Sequence, residues 1–232
     1  MALGLTGEEW DAVRISLAVA SRSVSVSLVP AIAVAWLLAR GRFPGRILLD
    51  AVVHLPLVVP PVVVGWGLLI LFGVRGPIGS LLHQWFGLRL VFTTEGAALA
   101  TAVMSFPLVV RAIRLSLEGV DTGLEAAART LGAGRLDRFF SITLPLMSPG
   151  ILAGAVTAFA AGLGEFGAVI TFASNIPGET QTLPLAIYSA TQTPGGEAVA
   201  ARLAAISFGL AVGGLLLAEL IALRMNRWLG RG

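Results

Sequence analysis

The 232-residue chain contains no cysteine and no lysine. Without Cys there are no disulfides, thiolate metal sites or Cys nucleophiles. Without Lys there is no GxxxxGK[ST] phosphate loop, so the chain does not hydrolyse ATP by that route. The two histidines, His54 and His83, lie far apart and make no metal-ligand spacing. No metal and no cofactor is expected. His54 reads as a structural polar contact. No paired acids, His cluster or Ser–His–Asp set stands out, so no catalytic residue is assigned. Charge is scarce as well: 12% of residues are charged and 56% are hydrophobic, whereas soluble domains carry about a quarter charged residues. Apolar runs of about 20 residues cross a ~30 Å hydrocarbon core as helix. The expected class is an all-α polytopic membrane protein whose bulk partner is lipid. All 16 basic residues are Arg; they are spread as membrane topology requires, with no aromatic-interleaved basic stripe for nucleic acid.

Five apolar segments are present, at about Val13–Leu38, Ile47–Phe72, Gly96–Leu117, Pro149–Ala173 and Val199–Leu223. The first is not a cleavable signal peptide: it lacks a basic n-region, its apolar part is too long, and no A-x-A-like cleavage site follows it. Arg bias in short loops sets orientation. One side receives Arg40, Arg42, Arg46, Arg111, Arg114, Arg129, Arg135, Arg138, Arg224, Arg227 and Arg231; the other receives Arg14, Arg75, Arg89 and Arg202. The eleven-to-four bias makes the first side cytoplasmic, with the N-terminus outside and the C-terminus inside.

The second segment contains Pro56, Pro60, Pro61, Gly65 and Gly67. Proline removes a backbone donor, and in lipid the freed carbonyls need partners. This segment is expected to kink, to pack within protein, and to line a translocation path at Pro60 and Pro61. Between the second and third segments, Leu81, Leu82, Trp85 and Phe86 recur at helical spacing, as in a short interfacial helix. Residues 174–197 form a Pro- and Gly-rich outer loop.

The stretch EGVDTGLEAAARTLGAGRLDRFFSITLPL, residues 118–146, is polar and Arg-rich. Thr122-Gly-Leu-Glu125 fits a capping box. Ala126 to Arg129 are strong helix formers, and Gly132 and Gly134 permit the left-handed geometry that ends a helix. Arg135–Thr143 reads as a second short helix stopped by Pro145. Capping alone accounts for Glu125 locally. It does not account for a connection this long where 2–8 residues are usual; a helix laid into a partner's groove would.

That stretch resembles the "EAA" loop of ABC-transporter permeases: a Glu, an Ala pair, a Gly, nine residues, then I-x-L-P. Here the matching positions are Glu125, Ala127, Ala128, Gly132, Ile142, Leu144 and Pro145. Glu125 lies one position earlier than in the plainest form, with Ala126 inserted, as in the oxyanion branch (molybdate, tungstate, sulfate). Further similar stretches are HLPLVVPPVVVG (54–65), MSFPLVVRAIR (104–114), GLGEFGA (162–168), SNIPGETQTLP (174–184) and TPGGE (193–197). Together they resemble the permease subunits of molybdate importers, with sulfate permeases as the alternative. The resemblance spans residues 11–224. It implies a type I importer permease fold, an inner-membrane location, and a loop at 118–148 that couples to a separate ATPase. It also implies two ATPase copies, an extracytoplasmic oxyanion-binding protein and a permease homodimer. Five helices are too few to surround a path alone, so the path is expected on the two-fold axis.

Glu165 is the one acidic residue well inside an apolar segment, among Gly162, Gly164 and Gly167. Charges at such depth usually face a cavity or partner, and an acid repels a divalent anion. Gly164, Glu165, Phe166 and Gly167 are therefore expected to act as a gate or structural element, with Arg22 as a possible ion partner of Glu165. An ion-coupled transporter or channel is the competing class; it would want inverted repeats or several intramembrane acids, which the sequence lacks.

Overall fold

The computed structural model describes residues 4–228; Arg231, expected on the Arg-rich side, lies outside them. Among the described residues every element is helical: α1 Gly7–Arg40, α2 Arg46–His54, α3 Pro61–Phe72, α4 Pro77–Phe86, α5 Thr94–Glu118, α6 Thr122–Thr130, α7 Arg135–Arg138, α8 Leu144–Leu163, α9 Gly167–Phe172, α10 Leu183–Thr191 and α11 Glu197–Trp228. Among the described residues four helices are long and apolar enough to cross a membrane, and the pair 46–57 and 61–72, bent by 112°, makes a fifth, broken span. The expected kink is there: a 3-10 turn at Leu55–Leu57 precedes it and Pro61 opens α3. The interfacial helix expected around Leu81–Phe86 is α4, closed by Gly87 at φ 66°.

The frame is α1, α5 and α8, packed through small residues. On α8, Gly150, Gly154, Ala158 and Gly162 recur every fourth position and are all buried, so they form one ridge. A Cβ on Gly150 would sit 2.7 Å from the Ala112 carbonyl oxygen, and one on Gly162 2.8 Å from Thr101 Cγ2. Small residues let backbones meet where lipid supplies no hydrophobic drive to association. On α1 the buried face likewise contains Ala12, Ser16, Ala20, Ser23, Ser27, Ala31 and Ala35. The Ser hydroxyls need no distant partner: Ser23 donates to the Ala20 carbonyl at 2.8 Å and Ser27 to the Val24 carbonyl at 3.1 Å. Outside this frame, Leu183 N–H donates to the buried Ser16 hydroxyl at 2.6 Å, tying the outer loop to α1.

Three expectations are corrected. The sequence Arg135–Thr143 is not a short helix stopped by Pro145. It continues through a π-turn at Phe139–Thr143 into α8, one rod of 29 residues from Arg135 to Leu163. Proline lacks the donor and crowds the carbonyl four residues back; the widened turn, with Leu144 N–H on the Phe139 carbonyl, accommodates it. Secondly, the fourth apolar segment is not a continuous helix: it breaks at Gly164–Phe166 and restarts as α9. Thirdly, the capping box lies elsewhere. Thr6 and Glu9 form one at the start of α1, with Glu9 N–H on Thr6 Oγ1 at 3.3 Å and Thr6 N–H on Glu9 Oε2 at 2.7 Å. At α6 the cap is Asp121, accepting from Gly123 N–H at 2.7 Å. Thr122 is thereby moved inside the helix and Glu125 is released from capping.

Candidate functional site: the Arg-rich face and the paired breaks

α6 is a nine-residue helix with no buried residue. Gly132 follows it at φ 88°, the left-handed region where a Cβ is penalised. Gly134, at φ −67°, instead precedes α7 as an extended N-cap. The released Glu125 points back to the membrane side. Its Oε1 accepts from Thr143 Oγ1 at 2.8 Å and lies 3.7 Å from Arg40 Nη2. The same Arg40 nitrogen reaches the Leu117 and Val120 carbonyls at 3.4 and 3.3 Å. One carboxylate and one guanidinium thus join the ends of α1 and α5, the helix α6 and the π-turn that leads into α8. Of the expected coupling residues, Ile142, Leu144 and Pro145 lie in or beside that turn, while Ala127 and Ala128 lie on α6. Outward, the segment exposes apolar side chains: Leu131 at 88%, Leu136 at 74% and Phe140 at 60%. An apolar groove of about 820 Å³ runs beside it, lined in part by Val29 and Trp36 of α1 and by Leu136 and Phe139.

The residues expected at a gate come together. Pro61 faces Gly167, where a Cβ would stand 2.7 Å from Pro61 Cβ, and a Cβ on Gly65 would likewise stand 2.7 Å from the Ala168 carbonyl oxygen. Further along, Phe72 and Phe172 stack edge to face at 6.4 Å. α3 and α9 therefore run side by side in the same direction, and both begin at a break, Pro60–Pro61 in one and Gly164–Phe166 in the other. Glu165 Oε1 accepts from Ala168 N–H at 2.9 Å and so satisfies one free N–H of the first turn of α9. Phe166 packs edge to face on Tyr188 of α10 at 5.4 Å. Arg22 does not pair with Glu165. It pairs with Glu95, in the first turn of α5, at 2.9 Å.

A third cluster escaped sequence reading. At the Arg-rich end of α5, Arg114 binds Asp50 Oδ1 at 3.1 Å and Glu118 Oε1 at 2.8 Å. His54 contacts the Asp50 carbonyl oxygen at 2.8 Å and its carboxylate at 3.4 Å. The available signal was Asp50 and His54 at i, i+4 spacing; their partners on α5 lie 64 positions from Asp50 and no local pattern announces them. On the outer side, Arg202 Nε donates to the buried Glu9 carboxylate at 3.0 Å, joining α11 to α1.

Broken spans packed against each other within a helical bundle are a feature of membrane transporters. The chain belongs to the binding-protein-dependent transport system inner membrane component family, which matches residues 31–227, and it has the type I ABC importer permease fold. It is 61% identical over 223 residues to the molybdenum transport system permease protein ModB of Escherichia coli K12, covering 96% of this chain and 97% of that protein. Identity to ModB of Haemophilus influenzae is 57% over 224 residues, covering 97% and 98%. The sulfate transport system permease protein CysT of Salmonella typhimurium is 43% identical over 176 residues, covering 75% of this chain and 63% of CysT. Among solved structures, a bacterial alginate ABC transporter in complex with its alginate pentasaccharide-bound periplasmic protein superposes with TM-score 0.73 at 19% identity, covering 98% of this chain and 81% of that one. The chain is a multi-pass inner-membrane transport protein.

Proposed function

We propose that this chain is the membrane subunit of an ATP-driven importer of molybdate. The observation that carries the reading is the 61% identity to ModB across nearly the whole of both chains. Residues 11–224 act as one transmembrane unit, and two copies enclose a path on their two-fold axis. Loop 118–148, with Glu125, Ala127, Ala128, Gly132, Ile142, Leu144 and Pro145, couples each copy to a separate ATPase chain; the exposed Leu131, Leu136 and Phe140 supply apolar contact for that partner. An extracytoplasmic oxyanion-binding protein delivers substrate to the outer face. Pro60, Pro61, Gly164, Glu165, Phe166 and Gly167 form the paired breaks at which the path opens and closes, a two-state change biased by the ATPase. Supporting this division of labour, the Lys-free sequence has no phosphate loop.

Sulfate is the second reading, favoured by the 43% identity to CysT. Uptake of labelled molybdate by the permease reconstituted with its ATPase and binding protein, with sulfate and tungstate as competitors, decides between them. Sulfate competing as well as unlabelled molybdate would overturn the molybdate assignment. Molybdate movement by the permease alone, without ATPase, would overturn the ABC reading for this chain.

A further inference from the structure

Two cavities flank the Arg-rich end of α5. One, about 300 Å³, is lined by Asp50, His54, Arg111, Arg114, Leu115 and Glu118. The other, about 580 Å³, is lined by residues 43–47 with Asp50 and Arg114. Both share Asp50 and Arg114, whose ion pair is the partition between them. Arg111 lines the first cavity, has no ion-pair partner among the described residues, and stands seven residues before the end of α5, about 10 Å up the helix. Arg46 lines the second cavity, at the first position of α2. Arg111, Arg114 and Arg46 therefore follow one another from within the span to its rim. Asp50 and Glu118 are the acids set against them. A face with this many ionisable groups is costly against lipid, and the two cavities beside it give those groups access to water.

We propose that Arg111, Arg114 and Arg46 form a ladder of weak anion sites along which a tetrahedral oxyanion leaves on the Arg-rich side, with Asp50 as the resident anion that it displaces from Arg114. The inference rests on the oxyanion reading above and names where that substrate is handed on. Guanidinium groups match the oxygens of such an anion in bidentate fashion. Conduction needs binding strong enough to admit the ion and weak or divided enough to release it. The ladder meets both needs: Arg114 and Asp50 are 26% and 42% exposed, so their pair is solvent-screened and exchangeable. When the oxyanion takes Arg114, the Asp50 carboxylate swings free and the two cavities join. When the ion moves to Arg46, Asp50 closes back on Arg114.

Asp50 as a competitor gives a sign that a structural ion pair does not. Molybdate binding is measured by titration calorimetry on the full-length permease in lipid nanodiscs. Asp50→Asn is expected to tighten it by about threefold, the scale of a half-exposed ion pair. Arg111→Gln is expected to weaken it by a similar factor, and Arg111→Lys, which keeps the charge but loses the bidentate fork, to weaken it by less than Arg111→Gln does. Arg89→Gln, on the opposite side, is the control and should leave binding unchanged. Unchanged or weaker binding in a monodisperse Asp50→Asn protein overturns the ladder, as does absence of millimolar molybdate binding to the parent permease. Arg111→Lys and Asp50→Asn keep the test decisive where Arg111→Gln fails to fold. Normal molybdate uptake by an Arg111→Gln complex removes the ladder and leaves the importer reading standing. Failure of the parent complex to take up molybdate removes the importer reading itself.

Discussion

Replacing Glu125 by Ala should release α6 from the membrane frame. A nine-residue helix is marginal on its own, so its order depends on what holds it. The 2.8 Å bond from Thr143 to the Glu125 carboxylate is a hydrogen bond to a charged group, worth about 1.5–3 kcal/mol. The Arg40 contact is longer, 3.7 Å, between side chains 23% and 29% exposed, and adds up to about 1 kcal/mol after screening. Truncation therefore costs about 2–3 kcal/mol of local stability, equivalent to a rise in amide exchange of roughly 30-fold or more. Hydrogen exchange followed by mass spectrometry across residues 122–133 reads this directly, with α5 as the internal reference. Thr143→Val should reproduce the larger share, and the double variant should add little to Glu125→Ala because the two groups act on one bond. Exchange within twofold of the parent in Glu125→Ala would refute the clasp. Glu125 would then hold no more than a local place on α6.

Gly132→Leu forces a branched side chain into φ 88°, costing about 1–2 kcal/mol; ATPase retention in a pull-down should fall while membrane insertion is unchanged. Asp121→Ala removes the cap on Gly123 N–H and should cost about 1 kcal/mol, seen as faster exchange confined to the first turn of α6. Gly150→Leu drives a side chain into the Ala112 carbonyl and Ser116, so detergent-solubilised protein should lose its monodisperse peak on size exclusion. Exchanging the charges of Arg22 and Glu95 should preserve uptake, whereas Arg22→Glu alone should lose at most a few-fold, as for an exposed pair.

Much of this architecture was legible because its causes are local. Proline and glycine positions announced the broken second span, the amphipathic turn around Trp85 announced α4, and Gly132 announced the end of α6. Misreadings arose where a local rule had a tertiary competitor. The pattern T-x-x-E occurs at Thr6 and at Thr122, and only the first is a capping box. At the second, Asp121 reaches Gly123 first and Thr143 claims Glu125 from 18 positions away. Pro145 read as a stop, yet a π-turn lets the helix pass it, and no sequence period marks that register change. Glu165 was recognisable as unusual from its apolar surroundings. Its partner was not, since a backbone N–H three residues ahead has no side-chain signature.

The matched breaks have a mechanical consequence. Above them, α3 and α9 pack so closely at Gly65 and Ala168 that a Cβ on Gly65 would not fit. Below Gly164, the rod from Arg135 to Leu163 is continuous for 29 residues, about 44 Å at 1.5 Å per residue. Near its foot is the π-turn, where Thr143 binds Glu125. Such a rod is a lever with its handle outside the bilayer: a tilt of about 10° at the foot carries its far end about 8 Å by simple trigonometry on that length. In the proposed importer cycle, the joint for that stroke is the three-residue gap Gly164–Glu165–Phe166, placed where the rod ends and α9 begins.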